Sequence, residues 1–276
     1  MGAKHRLPAR QAGLIAALLV VAACSGGDGD TAASTPTSTT TTTTAAPCST
    51  VEPGEGRVDL GERWYLRHVP DAHDGTTPLP LVVDLHGYSE GAELHASRTG
   101  VGDLGAREGF VTITPHALGD IPAWDLAVDG IDVAFVADVI DDAEASLCID
   151  PDRIYVTGHS MGGFLISTLA CSPVANRIAA FAPVSGVRLV EPCDPPRTAP
   201  ALIIHGRDDD VVLYDGGLSP LAADALDLPE EGPSIAVIVE AWPGGDARLH
   251  TVAGGHGWPR DATEELWAFF ERHSLR

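Results

Sequence analysis

The segment Gly158–Gly163 reads Gly-His-Ser-Met-Gly-Gly and contains the most reactive residue pattern of the sequence. It has the form Gly-x-Ser-x-Gly, and it lies between the strand-like run Ile154–Thr157 and the helical, apolar stretch Phe164–Cys171. A strand that turns sharply into a helix holds a serine hydroxyl clear of the sheet, at a helix N-terminus where developing negative charge is favourable. This setting predicts that Ser160 is a nucleophile, and a structural glycine-rich turn is the alternative.

A nucleophilic serine needs a histidine as general base and a carboxylate that orients the histidine. The carboxylate is expected after the serine in the chain. An apolar run, Ala201–His205, is followed by three adjacent candidates, Asp208, Asp209 and Asp210. A solvated acidic turn is the alternative interpretation of this trio, and its spacing alone leaves the choice among the three open.

Three histidines follow the aspartates, and their surroundings differ. His250 lies inside a strand-like segment and is interpreted as structural, while His273 lies near the end of a terminal helix, where histidines often bond free carbonyl groups. His256 lies in the glycine-rich loop 254–259, after a strand and before the last helix. A loop in that place can bring an imidazole to a neighbouring strand end, so His256 is the predicted general base.

The negative charge that forms on a substrate oxygen needs N–H donors that are already in place. One is expected from the backbone of Met161, directly after the nucleophile, and the other from Tyr88, in the loop that follows the apolar strand Leu79–Leu85. His86 precedes the predicted triad in the chain. We therefore expect it to hold this loop by hydrogen bonds and not to be a catalytic residue.

Short apolar runs alternate with segments of helical periodicity along the rest of the chain. Strands are predicted at 64–69, 79–85, 110–114, 154–157, 179–184 and 201–205, and helices at 132–147, 164–171, 234–242 and 262–273. This alternation predicts an α/β domain with a mainly parallel sheet flanked by helices. Most of the candidate residues follow strands, where the reactive groups of such sheets gather.

The composition excludes some classes of function. The chain has 276 residues, 17 basic and 39 acidic side chains, and a formal net charge of −22. Binding to nucleic acid relies on basic side chains that neutralise phosphates, so we exclude it. The sequence has no Cys-x-x-Cys motif and no pair of histidines four positions apart, and we expect neither a metal nor another cofactor.

The N-terminal residues have the pattern of an export signal. Lys4, Arg6 and Arg10 precede an apolar run that ends in Val-Ala-Ala before Cys24, a sequence that resembles a bacterial lipobox. The resemblance implies cleavage before Cys24 and its lipidation, with a plain secretory signal as the alternative. We therefore predict a signal peptide over 1–23, a Thr/Ser-rich flexible tether over 24–47, and a catalytic domain over 48–276.

Four cysteines remain once Cys24 is assigned to lipidation. They are Cys48, Cys148, Cys171 and Cys193. An even number in an exported protein predicts two disulfides, for which three connectivities exist. We favour a bond between Cys171 and Cys193, which leaves Cys48 to pair with Cys148.

Several segments in order resemble one esterase family. They include Pro80–Tyr88, the Ser160 elbow, Leu169–Cys171, Phe181–Gly186 and Gly255–Pro259, together with the pattern His-Gly-x-x-Asp-x-x-Val at 205–212. The chain resembles the polyhydroxybutyrate depolymerase-like esterases, which are related to feruloyl and acetylxylan esterases. The resemblance implies an α/β-hydrolase fold without a large cap domain, and its pattern assigns the triad carboxylate to Asp209.

The sequence departs from the family pattern at several places. Met161 stands where members often have alanine, Leu213 stands where proline is usual, and the segment 213–247 is short. This last region shapes the pocket, so the substrate stays open. Trp124 and Trp258 are candidates for aromatic pocket walls, with ordinary core packing as the alternative.

Together, these features predict a serine ester hydrolase that is lipid-anchored at the outer face of a bacterial membrane or secreted. It is expected to be a monomer, to form an acyl-enzyme and to act on a small-molecule or polymeric ester. Two other functions fit the same residues. One is a surface lipoprotein that binds a ligand in a hydrolase-like pocket, and the other is an acyltransferase with the same triad.

Overall fold

The computed structural model describes residues 51–276, which contain one eight-stranded sheet. The strands are β1 (Gly54–Leu60), β2 (Arg63–Val69), β3 (Leu79–Leu85), β4 (Val111–Pro115), β5 (Ile149–His159), β6 (Ala180–Val184), β7 (Ala201–Gly206) and β8 (Ala247–Val252). The predicted signal peptide, the tether, Cys24 and Cys48 lie outside the described residues.

The spatial order of the strands is β1-β2-β4-β3-β5-β6-β7-β8. The two edge pairings, β1 with β2 and β2 with β4, are antiparallel, and all the others are parallel. Every residue of β3 is buried, as expected for a central parallel strand covered on both faces. The predicted mainly parallel sheet is therefore confirmed.

Helices cover both faces of the sheet. They are α1 (Ala92–Thr99), α2 (Val101–Glu108), α3 (Ile131–Ser146), α4 (Met161–Ala170), α5 (Pro220–Leu226), α6 (Ile235–Glu240) and α7 (Ala262–Phe270). Alternate side chains of β3 separate two cores: Leu81 and Val83 pack with α3, α4 and α6, and Val82 packs with α2 and α7. No helix in residues 51–276 is long and apolar enough to cross a bilayer.

Some elements have no clear signal in the sequence. Strand β1 is mostly exposed and pairs only with β2, so its residues lack the apolar alternation of a half-buried strand. Helices α1 and α2 are eight residues long, and Gly100 ends α1 in the left-handed conformation and directly precedes α2. Such short helices offer too few turns for a periodicity to stand out.

A disulfide joins Cys171, directly after α4, to Cys193 in the long loop between β6 and β7. This confirms the favoured pairing. Cys148, which precedes β5, is disulfide-bonded as well. Its predicted partner, Cys48, lies outside the described residues, so that pairing stays a prediction.

Candidate active site

Ser160 lies in a tight turn between β5 and α4, as the sequence predicts. Its backbone has φ 53° and ψ −116°, a conformation that side-chain-bearing residues rarely adopt. A Cβ on Gly162 would lie 2.2 Å from the carbonyl oxygen of Leu85, and one on Gly163 would lie 2.0 Å from that of Gly186. Only glycine fits at these two positions, and their close contacts hold the turn in place.

The structure brings Ser160, His256 and Asp209 together in one chain of hydrogen bonds. The Nε2 atom of His256 lies 2.9 Å from the Oγ atom of Ser160. On the other side of the ring, Nδ1 lies 2.9 Å from Oδ2 and 3.1 Å from Oδ1 of Asp209. Since a carboxylate accepts, Nδ1 carries the proton, and Nε2 is then free to accept the serine proton.

Burial separates Asp209 from its two neighbours. The side chain of Asp209 is buried, whereas Asp208 and Asp210 are exposed. Burial alone would raise the pKa of the Asp209 carboxyl, but hydrogen bonds from His256 and from the backbone N–H groups of Val211 and Val212 outweigh it and lower the pKa. Asp209 is therefore an anion at neutral pH and can stabilise positive charge on His256.

The loop that carries His256 is held by backbone contacts. The hydroxyl of Ser185 donates to the carbonyl of Gly257 at 2.8 Å, and the N–H of Asp208 donates to that of Gly254 at 2.9 Å. A Cβ on Gly206 would lie 2.5 Å from the same Gly254 oxygen. The glycine at 206 therefore allows the loop to approach the end of β7, which brings His256 to the aspartate.

His205 is a further residue at the site, to which the sequence analysis gave no role of its own. Its Nε2 lies 2.9 Å from the carbonyl oxygen of Val212 and 3.3 Å from Oδ2 of Asp209. Because a carbonyl only accepts, Nε2 carries a proton, and burial lowers the pKa of the ring, which keeps it neutral. His205 thus supports the turn that holds Asp209.

The loop that is predicted to supply the Tyr88 N–H, residues 87–91 (the donor loop), lies against the nucleophile. A Cβ built on Gly87 would lie 3.5 Å from the Cβ of Ser160. Within residues 51–276, the N–H groups of Tyr88 and Met161 donate to no protein acceptor. Both belong to segments that adjoin the Ser160 hydroxyl, which is the arrangement that an oxyanion site requires.

His86 holds this loop, as the sequence predicts. Its Nδ1 lies 2.7 Å from the carbonyl oxygen of Gly87, and its Nε2 accepts a hydrogen bond from the N–H of Ala117 at 3.0 Å. Burial lowers the pKa of His86 to about 3. The ring is therefore neutral, with its proton on Nδ1, and joins the donor loop to the segment after β4.

The two predicted pocket tryptophans have other surroundings. Trp124 is buried, and its indole N–H donates to the carbonyl of His86 at 2.7 Å. Its side chain therefore holds the residue that precedes the donor loop. The indole N–H of Trp258 donates to the hydroxyl of Thr263 at 2.9 Å. Neither lines the cavity described next, and for Trp124 the structure favours core packing over the predicted pocket wall.

An apolar cavity of about 230 Å³ adjoins the site. Phe164, which lines it, follows Ser160 by one turn of α4, and Val212, on another wall, donates its N–H to Asp209. Its other lining residues include Val187, Leu228 and Ile235, with Arg188 and Glu231 as the charged ones. The cavity thus has a mainly apolar lining, and two of its lining residues bond directly to Ser160 or Asp209.

The other two candidate histidines, His250 and His273, contact residues outside the triad. Nδ1 of His250 lies 2.5 Å from Oε2 of Glu265, and Nδ1 of His273 donates to the carbonyl of Phe269 at 2.8 Å. Both have structural contacts of the kind that the sequence analysis expects. Among residues 51–276, no group of three or more His, Cys, Asp or Glu residues could hold a metal ion.

A buried cluster of charged groups lies next to the site. His95, fully buried, places Nε2 2.8 Å from Oδ1 of Asp84 and Nδ1 3.2 Å from Oε2 of Glu90. Thr99 donates its hydroxyl to the other oxygen of Asp84. Burial alone would lower the pKa of His95, but the two carboxylates raise it to about 9. His95 is therefore an imidazolium at neutral pH.

Comparison with curated proteins finds esterases. A bifunctional acetylxylan esterase/xylanase of Neocallimastix patriciarum is 36% identical over 135 residues, which cover 49% of this chain and 20% of that protein. A probable feruloyl esterase C of Aspergillus niger is 30% identical over 169 residues, covering 59% of this chain and 61% of that protein. The chain thus spans less than two thirds of these relatives' length. No protein-family model matches it.

Solved structures with the same fold include esterases. An acetyl xylan esterase from Aspergillus awamori superposes with a TM-score of 0.55 at 15% identity, over 79% of this chain and 99% of that one. A ferulic acid esterase superposes with a TM-score of 0.57 at 16% identity, over 79% and 96%. The chain has the α/β-hydrolase fold, and the resemblance to feruloyl and acetylxylan esterases is confirmed.

The raised pKa of His95 predicts a pH dependence of stability. The charged form stabilises the folded state, so this contribution is complete below the ordinary pKa of 6.5 and is lost as the pH rises through about 9. We expect the free energy of unfolding, measured with urea, to fall between these values in the wild type. In His95→Gln this fall should be absent, and an equal fall in the variant would contradict the assignment.

Proposed function

We propose that this protein is a serine carboxylic-ester hydrolase that forms an acyl-enzyme on Ser160. The observation that carries the proposal is the continuous hydrogen-bonded chain from Ser160 through His256 to Asp209, at 2.9 Å for each bond. The α/β-hydrolase fold and the esterase relatives support the same class of reaction.

In the acylation step, Oγ of Ser160 attacks the carbonyl carbon of the ester while its proton moves to Nε2 of His256. The anionic Asp209 stabilises the imidazolium that results. The tetrahedral intermediate then collapses, the bond to the alcohol oxygen breaks, and His256 protonates the departing alcohol. The acyl group stays on Ser160 as a new ester.

In the deacylation step, water attacks the acyl carbonyl and gives its proton to His256. The bond to Ser160 breaks, the serine recovers its proton from His256, and the carboxylic acid leaves. In both steps the carbonyl oxygen carries negative charge, which the N–H groups of Tyr88 and Met161 stabilise. The N-terminal end of α4 favours negative charge at the same place.

The substrate class follows from the relatives and the cavity. Relatives are named feruloyl and acetylxylan esterases, and we propose ester-linked carbohydrate, or an ester of comparable size, as the substrate. The apolar cavity beside Ser160 receives the acyl or alcohol group. Trp258 is half-buried with its ring 6.4 Å from that of His159, and we propose it as a contact for substrate near the active site.

We also propose that the enzyme is exported and anchored by lipid at Cys24, on the grounds of the basic, apolar and lipobox-like residues before it. Two acyl chains are enough for stable anchoring. Metabolic labelling with an alkyne fatty acid should label the wild type and not Cys24→Ser, and the variant should leave the membrane fraction. A labelled Cys24→Ser would contradict this part of the proposal.

The triad is tested by hydrolysis of p-nitrophenyl acetate. Ser160→Ala should lower kcat/KM by at least about 10³-fold, because it removes the nucleophile. Asp209→Asn should lower kcat by about 10⁴-fold, since it favours the wrong tautomer of His256. Asp208→Asn is the matched control, because it removes an adjacent but exposed carboxylate, and it should keep wild-type kinetics.

The other functions would give different results in the same assay. A ligand-binding lipoprotein would show equal, slow rates for the wild type and Ser160→Ala. An acyltransferase would release p-nitrophenol much faster when an alcohol acceptor is added, and would transfer the acyl group to that alcohol in preference to water. Loss of activity in Asp208→Asn together with an active Asp209→Asn would refute the choice of aspartate.

The cavity is tested by filling it. Leu228→Trp places a large ring at its wall, so kcat/KM for p-nitrophenyl hexanoate should fall by about tenfold or more relative to that for the acetate. Leu221→Trp is the control, because Leu221 is 81% exposed on α5. An unchanged ratio of the two rates in Leu228→Trp would show that the acyl chain does not enter this cavity, and an unchanged kcat/KM for the acetate as well would show that the p-nitrophenyl group does not enter it either.

A further inference from the structure

Arg98, at the end of α1, bridges the two segments that surround the reacting atoms. One is the donor loop, residues 87–91, and the other is the nucleophile elbow, residues 158–163. The Nη2 atom of Arg98 lies 2.9 Å from Oε1 and 3.0 Å from Oε2 of Glu90, in the donor loop. The same atom lies 2.8 Å from Nδ1 of His159, directly before the nucleophile.

Glu90 connects Arg98 to the backbone of the donor loop. Its Oε2 accepts the N–H of Gly87 at 3.0 Å and lies 3.2 Å from Nδ1 of the buried His95. Burial alone would raise the pKa of Glu90, but its hydrogen bonds and the charges of His95 and Arg98 lower it to about 2. The loop that carries the Tyr88 N–H is thus tied to a fixed, buried anion.

His159 connects Arg98 to the nucleophile elbow. A guanidinium only donates, so Nδ1 of His159 accepts, and the ring is neutral with its proton on Nε2. Burial and the charge of Arg98 hold its pKa near 2. The ring centroid lies 5.0 Å from that of His256. A neutral neighbour at this distance avoids repulsion of the positive charge that His256 acquires when it takes the serine proton.

From these contacts we infer that Arg98 is a positioning residue, which fixes the donor loop against the nucleophile elbow and keeps Nδ1 of the neutral His159 ring as a hydrogen-bond acceptor. Arg98 acts through Glu90 and His159 and does not touch the reacting atoms. The inference rests on the proposed function, because its effect is on stabilisation of the charged intermediate.

Arg98 differs from an ordinary surface ion pair in what it contacts. Its side chain is 40% exposed, but the Glu90 side chain is 7% exposed and His159 is buried. Arg107 provides the contrast, because it also lies in the last turn of its helix. Among the described residues its guanidinium lies 3.7 Å from the exposed Glu264 and donates to the carbonyl of Asp103 in its own helix. The two arginines thus share helix position and charge, and only Arg98 reaches the site.

The test compares Arg98→Gln with Arg107→Gln as the matched control. We expect Arg98→Gln to lower kcat for p-nitrophenyl acetate by about 10- to 100-fold, because small misplacements of catalytic groups have effects of this size, with KM changed less than twofold. Binding of a reversible boronic acid, which forms a tetrahedral anion on serine, should weaken by a similar factor. Arg107→Gln should match the wild type in all three.

A variant with the conservative change, Arg98→Lys, completes the test and replaces Arg98→Gln if that protein does not fold. A lysine keeps the charge but not the planar guanidinium, so its kcat should lie between those of the wild type and Arg98→Gln. Circular dichroism and thermal unfolding check that each variant is folded.

The outcomes separate this inference from the proposed function. An active wild type with unchanged kcat and unchanged boronic acid affinity in Arg98→Gln would overturn the inference alone. A fall in kcat without weaker boronic acid binding would assign Arg98 a merely structural role and would overturn it too. A wild type that hydrolyses no ester would overturn the proposed function and this inference with it.

Discussion

The close backbone packing around Ser160 is the constraint on which the rest of the site depends. Residues held in sparsely populated backbone conformations cost about 1–3 kcal/mol each and persist only where their surroundings leave no alternative. Ser160 is such a residue, and the contacts that hold it are those of glycines 162, 163 and 186, where a Cβ would lie 2.0–2.2 Å from a neighbouring backbone oxygen. With the turn held in this way, the orientation of the Ser160 hydroxyl is fixed. The donor loop, the histidine loop and the cavity are arranged around it.

The site also requires that its buried carboxylates have hydrogen-bond or charged partners, because this strongly acidic chain buries several of them at or near the reacting atoms. Each has its own compensation: Asp209 is bonded by His256 and two backbone N–H groups, Asp84 by His95 and Thr99, and Glu90 by His95 and Arg98. A buried ion that lost its partner would destabilise the fold strongly. The same bonds also fix the positions of loops, so stability and site geometry depend on common contacts.

Much of the fold and the site is predictable from the sequence, for reasons that particular residues illustrate. The buried strands and the elbow have strong local patterns. The family pattern points to Asp209 and the glycine-rich loop to His256, and the structure places His256 within hydrogen-bonding distance of both Asp209 and Ser160. The exposed β1 and the short helices α1 and α2 have weak local patterns. The cluster of Asp84, Glu90, His95 and Arg98 depends on contacts between segments that no spacing in the chain reveals. The residue type of Trp124 suggests a pocket wall, but tertiary packing decides its burial.

The proposed acyl-enzyme, formed on Ser160 by a triad with His256 and Asp209, can be trapped and identified. The purified protein would be mixed rapidly with p-nitrophenyl acetate, quenched in acid and digested, and its peptides analysed by mass spectrometry. We expect a burst of p-nitrophenol equal to the enzyme concentration and one acetyl group on Ser160, both lost in Ser160→Ala. Turnover in the wild type with no acetyl group on Ser160, or with the acetyl group on another residue, would contradict it.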